Sequence, residues 1–197
     1  IKIHKIKEKK INDNKILKMK SLIENSKKPI IILGGSNWSE NSKKNVEKFA
    51  KIYQLPVVTS FRRQDLINNR SKNFVGTLGT SVSPKLLDFF KESDLVLAIG
   101  TRLNDISTNG FHLFSKSQKQ TKLIHVYPSH KEIKKVFKAT LSIETSINNF
   151  SKNILNFDES NKKKCGNWLK KLRREYIEDI TLKENFVHHK LAIICKK

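Results

Sequence analysis

The sequence predicts an α/β protein built on a parallel, doubly wound sheet. Three observations carry that prediction. Apolar runs of strand length, such as Pro29–Leu33 and Leu95–Ile99, do not alternate with polar residues. Strands buried on both faces read this way. Stretches with helical spacing separate the runs, so that strand and helix alternate four or five times, the mark of a parallel sheet. Glycines close the runs: Gly34 and Gly35 after the first, Gly100 after Leu95–Ile99.

In chain order, Ile16, Met19, Leu22 and Ile23 form a stripe that predicts an amphipathic helix over residues 13–25, preceded by a linker or arm. Pro29–Leu33 is the first strand. Val46, Phe49, Ala50 and Tyr53 predict a helix over 39–53. Residues 55–59 are the second strand, with Pro56 near its start, where a missing N–H is tolerated. Residues 74–80 read as a glycine loop without helix or strand character. Ser83 and Pro84 suit the cap and first position of a helix running to about residue 91, with Leu86, Leu87 and Phe90 inward. Leu95–Ile99 follows as a strand, then an irregular loop over 106–114 with at most a helical turn. Lys122–Tyr127 is a further strand, closed by Pro128. Residues 129–136 suit a helix, 139–143 a short strand and 144–155 a helix. After a linker, Trp168, Leu169, Leu172 and Tyr176 predict a helix over 165–180. The most buried residues are expected to be Ile31, Ile32, Val57, Val58, Val96, Leu97, Ile99 and Ile124.

In open α/β sheets, ligands bind beyond the carboxyl ends of the strands. Gly100 and Arg102 follow Leu95–Ile99 there, and D-L-V-L-A-I-G-T-R-L-N-D reads as the floor and one wall of a nucleotide-type pocket. A buried strand followed by a surface arginine has the same pattern. Gly34 and Gly35 lead toward a helix start, a setting that favours anions, although a tight strand-to-helix turn also demands glycine. Thr59, Ser60 and Phe61 end the second strand. Arg62 and Arg63 come next, as a bidentate clamp for an anion or as a solvated pair.

The chain carries 40 Lys+Arg against 18 Asp+Glu, a net charge of +22. Such a charge raises the question of a nucleic-acid partner. Only six of the basic residues are arginine, and the lysines run through the whole chain instead of gathering in one stripe. No apolar run approaches the roughly 18 residues of a membrane helix. Cys165 and Cys195 have no metal-ligand spacing, and neither His188 nor His189 completes one. Isolated thiols fit a reducing cytoplasm, and no disulfide is expected. The first residues lack the pattern of a signal peptide, and a piece of a longer polypeptide is expected.

The ordered series K-P-I-I-I-L-G-G-S, L-P-V-V-T-S-F, F-V-G-T-L-G, S-D-L-V-L-A-I-G-T-R-L-N-D and L-I-H-V-Y-P-S-H-K-E-I resembles the central domain of thiamine-diphosphate-dependent enzymes. The acetolactate synthase-like group is the nearest in look, and the similarity spans about residues 28–150. The resemblance implies a Rossmann-like domain of about six strands, residues 28–157, after a linker and helix over 1–27. Residues 158–197 would lead to a C-terminal domain. It implies a homodimer or homotetramer whose flanking domains bind thiamine diphosphate and Mg2+. In this domain it implies FAD without a redox role, or an ADP-like nucleotide. By motif position the contacts would be Gly34, Gly35, Thr59, Ser60, Phe61, Leu78, Gly79, Thr80, Gly100, Arg102 and Asp105. Many relatives carry an acid in the I-D-I-D-P-like segment where this chain has H-V-Y-P, so that Tyr127 stands about where a carboxylate would bind ribose hydroxyls, and an empty pocket is a third alternative. The chain holds no G-D-G motif, so catalysis and metal binding are expected from other domains.

Two functions follow as expectations. One is the central domain of a carboligase or decarboxylase acting on 2-oxo acids. The other is a stand-alone nucleotide-binding or basic interaction module. Dispersed charge predicts that any DNA affinity is weak, sequence-independent and steeply salt-sensitive. Filter binding across a salt series checks this; sequence-selective binding that persists at physiological salt would overturn it.

Overall fold

The computed structural model describes residues 10–113, 121–133, 135–156 and 165–181. They form a six-stranded, wholly parallel sheet in the order β3-β2-β1-β4-β5-β6. The strands are β1 (Pro29–Leu33), β2 (Val57–Thr59), β3 (Phe74–Thr77), β4 (Leu95–Ile99), β5 (Lys122–Tyr127) and β6 (Leu141–Glu144). The helices are α1 (Asp13–Glu24), α2 (Glu40–Tyr53), α3 (Pro84–Glu92), α4 (Ile147–Asn153) and α5 (Gly166–Ile180). The winding runs outward from β1 to β3, then crosses back to β4 on β1's other side. This reversal is the doubly wound arrangement, in which helices cover both faces of the sheet. α2 packs on α4, and α3 packs on α5.

Every residue of β1 and β4 is buried, and the eight expected core residues are at most 2% exposed. Full burial of an aliphatic side chain contributes about 1.5–3 kcal/mol each, so these two strands carry the largest share of the core. Asp94 fixes where they begin. Its carboxylate accepts from the Lys27 and Lys28 N–H groups at 2.7 and 3.0 Å and from the Ser26 hydroxyl. Ser39 caps α2 by accepting from Ser42 N–H at 3.1 Å. Buried Asn73 donates to the carbonyls of Ala50 and Leu55 at 2.9 and 2.8 Å, joining the end of α2 to the β2–β3 region.

α5 docks through Trp168, Leu169 and Leu172, all buried, and the Trp168 indole donates to Pro29 O at 3.0 Å. Ion pairs ring this contact: Lys171 and Lys28 on Glu92, and Lys85 on Glu175, at 2.8–2.9 Å. All are partly exposed, and such pairs contribute about 0–1 kcal/mol each. The apolar contact therefore dominates the docking.

Three local expectations are corrected. Phe74–Thr77 is a strand, the sheet edge beside β2, not a loop. Gly76 sits inside it at φ +139, and the register shifts between Val57 and Val58; a glycine-bearing bulge hides the strand pattern. Residues 129–133 form a turn in which Ser129 O accepts from Glu132 and Ile133 N–H, not the start of an α-helix. Ile133, Val136 and Phe137 mimic helical spacing, yet Val136 is 47% exposed. Ser83 precedes α3 in an extended conformation but gives it no side-chain cap bond, and Phe89 is buried where Leu87 is only half-buried. Cys195, His188 and His189 lie outside the described residues.

Truncating Leu97 to Ala is expected to destabilise the protein by about 2–5 kcal/mol. Denaturant unfolding checks this, and an unshifted midpoint would remove Leu97 from the core.

Candidate functional site

The strand order places β1 beside β4, and their carboxyl ends form the point where the winding reverses. A cleft of about 380 Å³ opens there, lined by Gly35, Ser60, Phe61, Gly100, Arg102 and Tyr127 among others. Successive backbone bonds carry the ladder into its floor: Leu78 N–H to Thr59 O, Ser60 N–H to Leu33 O, Gly34 N–H to Ile99 O, and Gly100 N–H to Val126 O, all within 2.7–3.0 Å. Gly35 and Gly100 both have positive φ, +71 and +73. A Cβ on Gly35 would stand 1.9 Å from Gly100 O, and one on Gly100 would stand 2.6 Å from Gly34 O. Only glycine lets the two turns meet this closely.

Five of the eleven expected contact residues line the cleft: Gly35, Ser60, Phe61, Gly100 and Arg102. Gly34 is buried beneath them, and its carbonyl accepts from the Trp38 indole at 2.8 Å. Thr59 is fully buried and shares a 3.0 Å hydrogen bond with the Thr77 hydroxyl. Leu78 is core. Gly79 lies against the Phe61 ring. Thr80 and Asp105 are exposed and stand outside the lining, and Asp105 O accepts the N–H groups of Thr108 and Gly110. Lining residues beyond that expectation include Ser36, Thr101, Asn104 and Ser107. The signal for Thr101, Asn104 and Ser107 was the polar spacing of T-R-L-N-D-I-S, whose turn is set by Leu103 at φ +55.

Among the described residues two cations line the cleft, half-buried Arg63 and exposed Arg102. The Arg102 Nε donates to the Tyr127 hydroxyl at 2.9 Å, and Glu132 stands 3.7 Å away. The twin arginines do not act as one clamp. Arg62 has φ +59 and lies over the Phe61 ring, 5.0 Å from its centroid. Arg63 forks onto Asp65 at 2.9 and 3.1 Å, and this holds the Asp65 carboxyl below its usual range.

His125 lies under the site, 2% exposed. Its Nε2 donates to Thr101 O at 2.9 Å, the tautomer that this acceptor requires. Its Nδ1 is buried with no hydrogen-bond partner among the described residues. Burial holds its pKa below the ordinary value, against the pull of the Thr101 carbonyl. The arrangement offers hydroxyls, a guanidinium, a close backbone and an aromatic wall. That donor set fits a diphosphate with a flanking ring.

Residues 16–154 match the family model for the thiamine pyrophosphate enzyme central domain. The chain belongs to this family. It is 30% identical over 140 residues to the mitochondrial acetolactate synthase of Schizosaccharomyces pombe, covering 68% of this chain and 21% of that protein. It is 31% identical over 101 residues to the acetolactate synthase large subunit of Haemophilus influenzae, covering 51% of this chain and 17% of that protein. It is 27% identical over 135 residues to the 3D-(3,5/4)-trihydroxycyclohexane-1,2-dione hydrolase of Clostridium botulinum, covering 66% of this chain and 20% of that protein. The chain thus spans about a fifth of the length of these relatives. No helix among the described residues of this central domain is long and apolar enough to cross a membrane.

The His125 geometry predicts a pH effect. The unfolded chain takes up this proton near the ordinary histidine value of about 6.5, the folded one only at lower pH. The stability this contributes is present above that value and is lost as pH falls below it. Denaturant midpoints at neutral and acid pH check this. His125→Gln, which keeps an N–H donor, is expected to flatten the slope, and equal slopes in both proteins would clear His125 of the effect.

Proposed function

We propose that this domain belongs to an acetolactate synthase-like, thiamine-diphosphate-dependent carboligase or decarboxylase acting on 2-oxo acids. Its own part in that enzyme is to hold an adenine nucleotide, FAD or ADP-like, in the cleft between the ends of β1 and β4. The observation that carries the nucleotide reading is Arg102 on the rim of the Gly35–Gly100 contact, with Phe61 as an apolar wall. The diphosphate would take hydroxyl donors from Ser60 and Ser36 and a planar fork from Arg102. Thr59, Leu78 and Gly34 support the floor from below. Thiamine diphosphate and Mg2+ would belong to flanking domains, in a dimeric or tetrameric cytoplasmic enzyme. The likeness to acetolactate synthases from two organisms supports the 2-oxo acid reading. Hydrolysis of a cyclic 1,2-dione is the second reading, favoured by the relatives that carry that name. The family match over residues 16–154 favours either over a stand-alone module.

The test has two arms. The purified enzyme, supplied with thiamine diphosphate and Mg2+, is expected to consume 2-oxo acids; turnover of a cyclic 1,2-dione alone would move the assignment to the second reading. In calorimetric titration with FAD and ADP, Arg102→Ala is expected to weaken binding at least tenfold, about 1.4 kcal/mol. Equal affinities would remove Arg102 from the site, and no binding by the wild type would mean an empty pocket.

A further inference from the structure

A second depression lies at the opposite edge of the sheet. It is a groove of about 840 Å³ between the C-terminal half of α2, the segment leading into β3, and the first turns of α5. Lys51, Arg70, Lys72, Lys170 and Arg173 line it against a single carboxylate, Glu47. Glu47 is already paired with Lys51 at 2.8 Å. Arg70, Lys72 and Lys170 are exposed and make no ion pair with any described residue. Some lysines elsewhere pair with acids, such as Lys28 and Lys171 on Glu92, Lys85 on Glu175 and Lys43 on Glu40, while others, such as Lys44 and Lys48, stand singly among the described residues. What sets the groove apart is five cations gathered on one depression with one carboxylate, itself already paired.

Its walls are held in place. Asn73 is fixed by its bonds to Ala50 O and Leu55 O. The approach to β3 is closed by Asn68, which accepts Ser71 N–H on its carbonyl and Arg70 N–H on its side chain, both at 2.9 Å. Arg173 donates to Phe74 O at 2.5 Å and lies over the Tyr176 ring. The fixed backbone and Arg173 spare part of the ordering cost of binding an anion.

Among the described residues, no aromatic lines the groove. It thus lacks the stacking platforms on which single-stranded nucleic acids are held. Its volume falls in the range of small-ligand sites. We propose that this groove binds a compact polyphosphate anion, either the phosphate tail of a nucleoside triphosphate or a free inorganic polyphosphate. Two arginines supply forks for the phosphate oxygens, and lysines supply point charges. The site is separate from the β1–β4 cleft, and neither proposal depends on the other.

The experiment is calorimetric titration of inorganic tripolyphosphate into the intact enzyme at about 0.15 M salt. One equivalent is expected to saturate the site. The double variant Arg70→Gln/Lys170→Gln, at exposed positions, is expected to weaken binding at least tenfold with an unchanged melting midpoint. The control Lys44→Gln/Lys48→Gln, which removes the same charge elsewhere, is expected to bind as wild type. Displacement of the tripolyphosphate by ATP would identify a nucleotide tail as the source; failure to displace would identify a free polyphosphate. Equal weakening in the control, or absence of saturable binding, would reduce the groove to dispersed charge and overturn the proposal. So would a short single-stranded oligonucleotide or polyglutamate that binds more tightly than tripolyphosphate through Arg70 and Lys170.

Discussion

The closest constraint in the domain is the contact between the turns that leave β1 and β4. Two backbones meet there with no side chain between them, and a Cβ on Gly35 would fall 1.9 Å from Gly100 O. The reversal of winding makes this place unavoidable. β1 must pair with β2 on one side and β4 on the other, in registers that set Leu33 opposite both Thr59 and Ile99. The strand ends are thereby level, and both chains must leave the same edge at the same height. Glycine turns let them do so while the crevice above stays open. The same geometry that closes the core also makes the cleft.

β5 supplies the support behind that cleft. His125 and Tyr127 are two residues apart and so face the same side of the strand. Their rings stand 6.2 Å apart. His125 holds the Thr101 carbonyl, and Tyr127 holds the Arg102 side chain. One strand face thus fixes the backbone just before Arg102 and the start of its guanidinium. The neutral imidazole has one N–H donor to give. Giving it to Thr101 leaves Nδ1 without a hydrogen-bond partner among the described residues, at a cost in desolvation.

The strands with uninterrupted apolar runs were legible because burial on both faces leaves only one kind of residue. Pro29–Leu33 and Leu95–Ile99 were readable to the residue on this ground, and Lys122–Tyr127 was readable too, although Lys122 and His125 interrupt its run. β3 was not, because Gly76 and a register shift remove the local pattern, and only pairing with β2 makes it a strand. Residues 129–136 erred in the other direction: helical spacing was present, but Val136 stays 47% exposed. In the cleft, Gly35, Gly100 and Arg102 could be placed from the strand ends alone. Thr59 and Leu78 could not, because a strand end does not say which side chains turn inward. The Arg102–Tyr127 bond joins residues 25 apart, and no local rule reaches across that distance.

Charge had to be arranged around this scaffold. Each of several acids serves two cations: Glu92 holds Lys28 and Lys171, Asp65 holds Arg63 and Lys43, Glu175 holds Lys85 and Arg174. These partners hold the three carboxyls below their usual range, Lys28 first for Glu92, Arg63 for Asp65 and Lys85 for Glu175. Exposed pairs of this kind are weak, and a net charge of +22 still repels itself. The sheet tolerates that repulsion because its stability comes from apolar burial, which charge at the surface leaves intact. Asp94 is the exception that shows the difference. It sits at the start of β4 and spends its carboxylate on two backbone N–H groups and a hydroxyl, not on a lysine. Where the fold needed an acid for geometry, it bound the backbone; where it needed one for charge, it stayed in water and was shared.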